Sequence, residues 1–323
     1  MTKPIVVLTR KLPEEVEQEA ARRFELRSNS DDHRFSVAEM LTSLAEADGI
    51  ICTLGDPLGG EILRQGPWRA KILANFGAGI DHIDLPAARA AGLSVTNTPG
   101  ALTEATADLA MALILMATRR LGEGEREVRA RKWTGWRPTH LLGNSLLGKT
   151  LGIVGFGRIG QATARRARLG FGMKIVYTRS QALKTLETLN DLDARLLELD
   201  ELLSVSDVVS LHTPATPETA GMIDARRIGL MKPGSYLINT GRGSVVDEEA
   251  LLAALRSGHL AAAGLDVYAK EPYVLPGLLA LPNVVALPHL GSATIETRTA
   301  MGMRALENLS AFLAGGAVLD PVT

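Results

Sequence analysis

At 323 residues, 46% of them hydrophobic, the chain exceeds the usual size of one compact core and is ample for two α/β domains. Its 35 Lys and Arg against 36 Asp and Glu leave a net charge of -1, so no chain-wide basic field exists to hold nucleic acid. Cys52 stands alone, which excludes an internal disulfide and a multi-cysteine metal site and fits a reducing compartment; a cytoplasmic location is expected.

The opening apolar run, Ile5-Val-Val-Leu8, is broken at once by Thr9, Arg10 and Lys11, too early for a signal peptide. It reads instead as the first of a series of β-rich runs, continued at 49–52, 71–74 and 93–96, each next to an amphipathic stretch. That alternation predicts a parallel sheet with flanking helices. A helical pattern then runs from Thr103 to about Arg120, with Glu104 and Asp108 near its start and two arginines at its end. Its apolar middle, 109–117, is the longest such run and is too short to cross a bilayer, so no membrane association is expected.

Residues 131–149 carry Trp133, Trp136, Pro138 and several glycines and read as an irregular arm. A second series of β-rich runs follows at 150–154, 174–178, 207–212, 235–240 and 262–267, and a final helical pattern covers about 293–314. Within the second series, Gly155-Phe-Gly157-Arg158-Ile159-Gly160 follows an apolar run and opens a helical pattern through 161–169. In that context the glycines have distinct tasks. Gly155 permits the tight turn, Gly157 lets backbone approach a pyrophosphate, and Gly160 lets helix pack on strand while the helix N-terminus offers amides to negative charge.

The fold expected is therefore α/β: two Rossmann-like domains with parallel sheets and a catalytic cleft between them. Residues 1–102 plus 288–323 would form a discontinuous substrate-binding domain, and 103–287 the NAD(P)-binding domain. After the run ending at Thr178 stand Arg179 and Ser180, where a cofactor lacking the ribose phosphate usually meets Asp or Glu. An arginine can hold a 2′-phosphate through paired hydrogen bonds, and the Thr178 and Ser180 hydroxyls add donors, so NADP(H) is expected over NAD(H), with NAD(H) use still open.

Three further segments carry reactive groups: Asn239-Thr240-Gly-Arg242-Gly, Asp266-Val-Tyr-Ala-Lys-Glu271-Pro, and Pro288-His289-Leu-Gly291-Ser-Ala-Thr294. With the fingerprint, they resemble the D-2-hydroxyacid dehydrogenase family over nearly the whole chain. The likeness is nearest to the glyoxylate and hydroxypyruvate reductases, through Trp133-Thr-Gly-Trp136-Arg-Pro and Ala262-Ala-Gly-Leu-Asp266-Val. The resemblance implies that Arg242, Glu271 and His289 form the catalytic set, with His289 and the nicotinamide on opposite sides of the substrate carbonyl. It implies further cofactor contacts from Thr106, His212, Thr213, Pro214, Thr240 and Gly291, with Asp266 at the nicotinamide amide. It also implies that backbone amides around Ala78 and Gly79 bind the substrate carboxylate. The arm would pack across a homodimer and lend Trp136 to the neighbour's pocket.

The chemistry asks for these residue types on its own account. Reduction adds hydride to a carbonyl carbon while the oxygen gains a proton, and histidine is the natural donor near neutral pH. A carboxylate beside it keeps an imidazole protonated and oriented, the part assigned to Glu271. Arg242 has the fork to clamp a 2-keto acid and a charge to oppose the developing oxyanion. Glycines at 77 and 79 let amides gather into one anion-holding concavity, although a plain turn with Asp81 capping a helix fits the same residues.

The expected activity is NADP(H)-dependent reduction of glyoxylate or hydroxypyruvate to glycolate or D-glycerate. The alternatives are a dehydrogenase of a larger D-2-hydroxy acid or sugar acid, of the 2-ketogluconate type, and a catalytically silent dinucleotide sensor. No two of the six histidines stand one helical turn apart, so no metal site is expected.

Overall fold

A computed structural model describes residues 3–179 and 192–322, so Ser180, expected to help hold a ribose phosphate, lies outside the described residues. The chain divides into two compact units, Met1–Leu102 with Ser292–Thr323, and Thr103–Gly291. The last residues before the return, including His289, thus belong to the second unit.

The first unit runs β1 (Ile5–Leu8), α1 (Glu14–Arg23), β2 (Glu25–Arg27), α2 (Val37–Glu46), β3 (Gly49–Cys52), α3 (Gly60–Leu63), β4 (Ile72–Asn75), α4 (Leu85–Ala90) and β5 (Ser94–Thr96). The second opens with α5 (Thr103–Thr118), α6 (Leu121–Arg129), β6 (Thr150–Val154), α7 (Arg158–Phe171), β7 (Lys174–Thr178) and β8 (Arg195–Leu196). It continues with α8 (Leu199–Val205), β9 (Val208–Leu211), α9 (Ala225–Leu230), β10 (Ser235–Asn239), α10 (Glu248–Ser257), β11 (Leu260–Leu265), α11 (Pro276–Leu279) and β12 (Val284–Ala286). Helix α12 (Ile295–Leu313) closes the first unit.

Both sheets are wholly parallel, in the orders β2-β1-β3-β4-β5 and β12-β11-β10-β9-β6-β7-β8. Covered on both faces, their central strands are continuous apolar runs such as Gly49–Cys52, every residue of which is buried. Each sheet reverses direction beside its first strand, between β1 and β3 and between β6 and β9, and loops at the carboxyl ends of strands flanking such a reversal are where open α/β sheets take ligands.

Small residues let the helices seat. On α12, Leu309 occupies the place a side chain at Gly49 would take, and Gly302 gives way to Val16 of α1. In the second unit, α5 lies against β10, β11 and α7 with Leu113 and Ile114 wholly buried. Each such side chain contributes roughly 1.5–3 kcal/mol.

Where the elements depart from sequence expectation, the cause is local. Arg120 takes a left-handed backbone (φ 54°), which stops α5 at Thr118 and starts α6, a helix without a buried residue. Its two glycines and exposed faces hide it from periodicity. Strands β2, β8 and β12 have two or three residues each, too few to show alternation. Among the described residues no helix is long and apolar enough to cross a membrane.

Candidate active site

The fingerprint glycines occupy the β6–α7 turn at the reversal of the second sheet. Gly155 has φ +94°, and a Cβ there would stand 2.9 Å from the His212 carbonyl group, because the turns after β6 and β9 lie side by side. A Cβ on Gly160 would overlap the Gly155 carbonyl oxygen, so only glycine lets α7 close on β6. Gly157, at the N-cap of α7, faces open space: among the described residues nothing lies within 4 Å of where its Cβ would stand, and no side chain caps the helix. The amides of Arg158 and Ile159 donate to no group of the described chain. Open space beside free helix-end amides is what a pyrophosphate requires, and these residues fit a dinucleotide.

Thr178 ends β7, half-buried, and Arg179 follows it. After β9 come His212, Thr213 and Pro214; His212 Nε2 lies 2.9 Å from Ser210 Oγ and Nδ1 3.3 Å from Thr240 Oγ1. Burial without a countercharge pushes that imidazole down from 6.5 to about 4, keeping it neutral. The Thr213 hydroxyl is buried with no partner within the described chain.

At the end of β10, Asn239 braces the next turn, accepting from the Gly241 amide (3.0 Å) and donating to the Arg242 carbonyl (2.9 Å). Beyond β11, Asp266 is buried, with relative exposure of 1%, and its carboxylate accepts from the amides of Leu290 (2.6 Å) and Gly291 (2.8 Å). Its carbonyl accepts from the His289 amide (2.9 Å). These three bonds hold His289 in a left-handed conformation, φ 55°, that costs a non-glycine residue about 1–3 kcal/mol. Burial raises the Asp266 carboxyl above its ordinary value, against the two amides that favour its charged form. The Thr106 hydroxyl donates to the Gly291 carbonyl (3.0 Å), so both residues expected at the cofactor meet each other.

His289 and Glu271, eighteen residues apart in sequence, form a 2.8 Å hydrogen bond between Nδ1 and Oε2, with side chains 33% and 30% exposed. A carboxylate can only accept, so the proton sits on Nδ1 and Nε2 is left for another partner. The second Glu271 oxygen accepts from the Tyr268 amide (3.1 Å). Burial works to raise the Glu271 carboxyl; the His289 bond and charge, the Tyr268 amide and the nearby Arg242 charge outweigh it and hold the group below its usual value. Tyr268, which sequence reading passed over, also donates its hydroxyl to the Leu287 carbonyl (2.9 Å), two residues before His289.

In the first unit, the loop after β4 holds Ala78 and Gly79, both half-buried. The helix that follows is capped by Asp84, whose carboxylate accepts from the Ala87 amide, and not by Asp81. Trp136 is 83% exposed and Trp133 55%, on an arm without helix or strand between 131 and 149.

The match to known proteins follows the same residues. Residues 111–291 fit the family model for the NAD-binding domain of D-isomer-specific 2-hydroxyacid dehydrogenases. The chain belongs to that family. Across 317 residues it is 45% identical to a glyoxylate reductase of Thermococcus litoralis, covering 97% of this chain and 95% of that one. It is 39% identical over 315 residues to a glycerate dehydrogenase of Hyphomicrobium methylovorum, covering 98% of each. An NADPH-dependent glyoxylate/hydroxypyruvate reductase from Sinorhizobium meliloti, solved with NADP and malonate, superposes with a TM-score of 0.87 at 35% identity, covering 100% of this chain and 97% of that one. This member of the 2-hydroxyacid dehydrogenases is an oxidoreductase with a nicotinamide-dinucleotide-binding domain.

Proposed function

We propose that this dehydrogenase reduces short 2-keto acids, glyoxylate and hydroxypyruvate, to glycolate and D-glycerate, with NADPH as reductant. The observation that carries the reading is the Glu271–His289 pair, held by its own loop bonds beside the charge of Arg242 at the strand ends of a dinucleotide-binding unit. The names of the Thermococcus, Hyphomicrobium and Sinorhizobium relatives point to the same substrates.

When bound, the reduced nicotinamide supplies a hydride to the carbonyl carbon. His289 carries a second proton on Nε2 beside the one on Nδ1 that Glu271 accepts; it delivers the Nε2 proton to the carbonyl oxygen and is left as neutral imidazole, with Glu271 keeping the ring turned through Nδ1. Arg242 pairs with the substrate's carboxylate and opposes negative charge as it gathers on the oxygen, an interaction stronger in the transition state than in the ground state. The amides at Ala78 and Gly79 hold the carboxylate.

The preference for NADPH rests on Arg179, which follows β7 in the sequence where an Asp or Glu would meet a ribose hydroxyl. A homodimer is supported by apolar side chains exposed along one stretch of chain: Leu121, Val128, Trp133, Trp136, Leu142 and Leu147. Trp136 of one copy then narrows the pocket of the other.

The test is NADPH oxidation followed spectrophotometrically with glyoxylate, hydroxypyruvate, pyruvate and 2-ketogluconate, repeated with NADH. Fast turnover of the first two with NADPH is expected. A clear preference for NADH would remove the role given to Arg179, and turnover of 2-ketogluconate alone would overturn the substrate assignment. His289→Ala should abolish turnover and leave NADPH binding intact; near-normal activity would place the proton donor elsewhere.

A further inference from the structure

The loop after β4 is held from behind by two asparagine side chains. Asn75, the last residue of β4 and 1% exposed, donates from Nδ2 to the carbonyls of Gly77 (3.0 Å) and Gly79 (2.8 Å). Asn97, following β5, donates from Nδ2 to the carbonyl between them, that of Ala78 (2.8 Å), while the Thr98 amide adds a second bond to Gly77 (3.0 Å). Three consecutive carbonyls are thus tied inward. A peptide's N–H points away from its C=O, so fixing three carbonyls fixes the amides of Ala78, Gly79 and Ile80 on the other side. Those three amides donate to no group of the described chain, on residues only half-buried. Gly77 is tight against the clamp: a Cβ there would stand 3.2 Å from Asn75 Nδ2.

Asn97 is itself anchored by the end of the chain. Its amide donates to the Asp320 carbonyl (3.4 Å), and the Val322 amide donates to Val95 (2.9 Å). Asp320 is gripped by Arg304 through two bonds (2.6 and 3.1 Å) and by Asn308 of α12, wholly buried, whose Oδ1 accepts from the amides of Leu319 and Asp320.

We propose that Asn75 and Asn97 are positioning residues that preset the Ala78–Ile80 amides as a seat for the substrate carboxylate. This rests on the functional reading above and adds how the seat is kept open. An amide that must first turn out of a relaxed loop binds an anion more weakly than one already fixed, because the ordering is done before the substrate arrives. The side-chain amide is essential, since a carboxylate in its place would turn oxygen toward the carbonyl oxygens it now binds.

The experiment compares wild-type protein with Asn75→Ala, Asn97→Ala and the near-isosteric Asn97→Asp. Three readouts are taken: steady-state kinetics with glyoxylate, affinity for oxalate in the NADPH complex by calorimetry, and affinity for NADPH alone. The KM for glyoxylate and the Kd for oxalate should each rise about tenfold or more, with kcat within about threefold and NADPH affinity unchanged. Asn97→Asp should be at least as impaired as Asn97→Ala. A parallel fall of kcat and NADPH affinity would mean general damage and overturn the proposal, as would variants that bind oxalate like the wild type. Should Asn75→Ala fail to fold, the Asn97 pair decides alone. Wild-type protein that neither reduces 2-keto acids nor binds oxalate would overturn the functional reading, whereas wild-type turnover with unimpaired variants would overturn only this inference.

Discussion

Three glycine-to-alanine substitutions in one turn should separate what the fold needs from what the cofactor needs. At Gly155 the backbone sits at φ +94°, which costs an L-residue about 1–2 kcal/mol, and the new methyl would meet the His212 backbone 2.9 Å away. At Gly160 the methyl would collide with the Gly155 carbonyl oxygen and stand 3.0 Å from Ile153 Cγ2; such overpacking costs about 1–3 kcal/mol. Gly157 is different: φ is -79°, ordinary for any residue, and no described residue lies within 4 Å of the added carbon. Gly157→Ala should therefore change unfolding free energy by no more than about 0.5 kcal/mol. The methyl would nonetheless stand in the space a pyrophosphate takes, and the same overpacking, now acting against binding, weakens NADPH about 10- to 100-fold. Urea unfolding of the free proteins and fluorescence titration with NADPH measure the two quantities. Gly157→Ala binding NADPH like the wild type, or losing as much stability as Gly160→Ala, would refute the assignment of that space to the cofactor.

Two further outcomes follow from burial and exposure. Trp136→Ala should leave the stability of the monomer within about 0.5 kcal/mol, as its side chain is 83% exposed in the single chain, yet broaden the substrate range from glyoxylate and hydroxypyruvate toward phenylpyruvate. An unchanged preference would count against a role in the pocket. His212 is near 4 in the folded protein against an ordinary 6.5, so the unfolded chain takes up its proton first as pH falls. Its contribution is complete above about pH 6.5 and is lost toward pH 4, amounting to at most about 3 kcal/mol. His212→Asn should flatten the stability profile between those limits, and an unaltered slope measured by urea unfolding would show that the imidazole is solvated.

Features that depend on short-range regularity were legible in the residues alone. Continuous apolar runs marked the central strands, including the bounds of β1, β3, β6 and β7, because a strand buried on both faces has no polar alternation. The glycine spacing marked the β6–α7 turn, since the positive φ at Gly155 and the contact of Gly160 with the Gly155 carbonyl are demands set within six residues. The types Arg, Glu and His at strand ends pointed to carbonyl reduction. The contacts themselves come from packing between segments distant in the chain. That packing joined Glu271 to His289, turned the Asp266 carboxylate onto the amides of Leu290 and Gly291, and set Thr106 on the Gly291 carbonyl. It brought Asn75 and Asn97 to the same loop from different strands. An asparagine at a strand end is locally an ordinary turn residue. Its meaning arises when the parallel sheet sets the ends of β4 and β5 side by side, a pairing that no periodicity within either segment records.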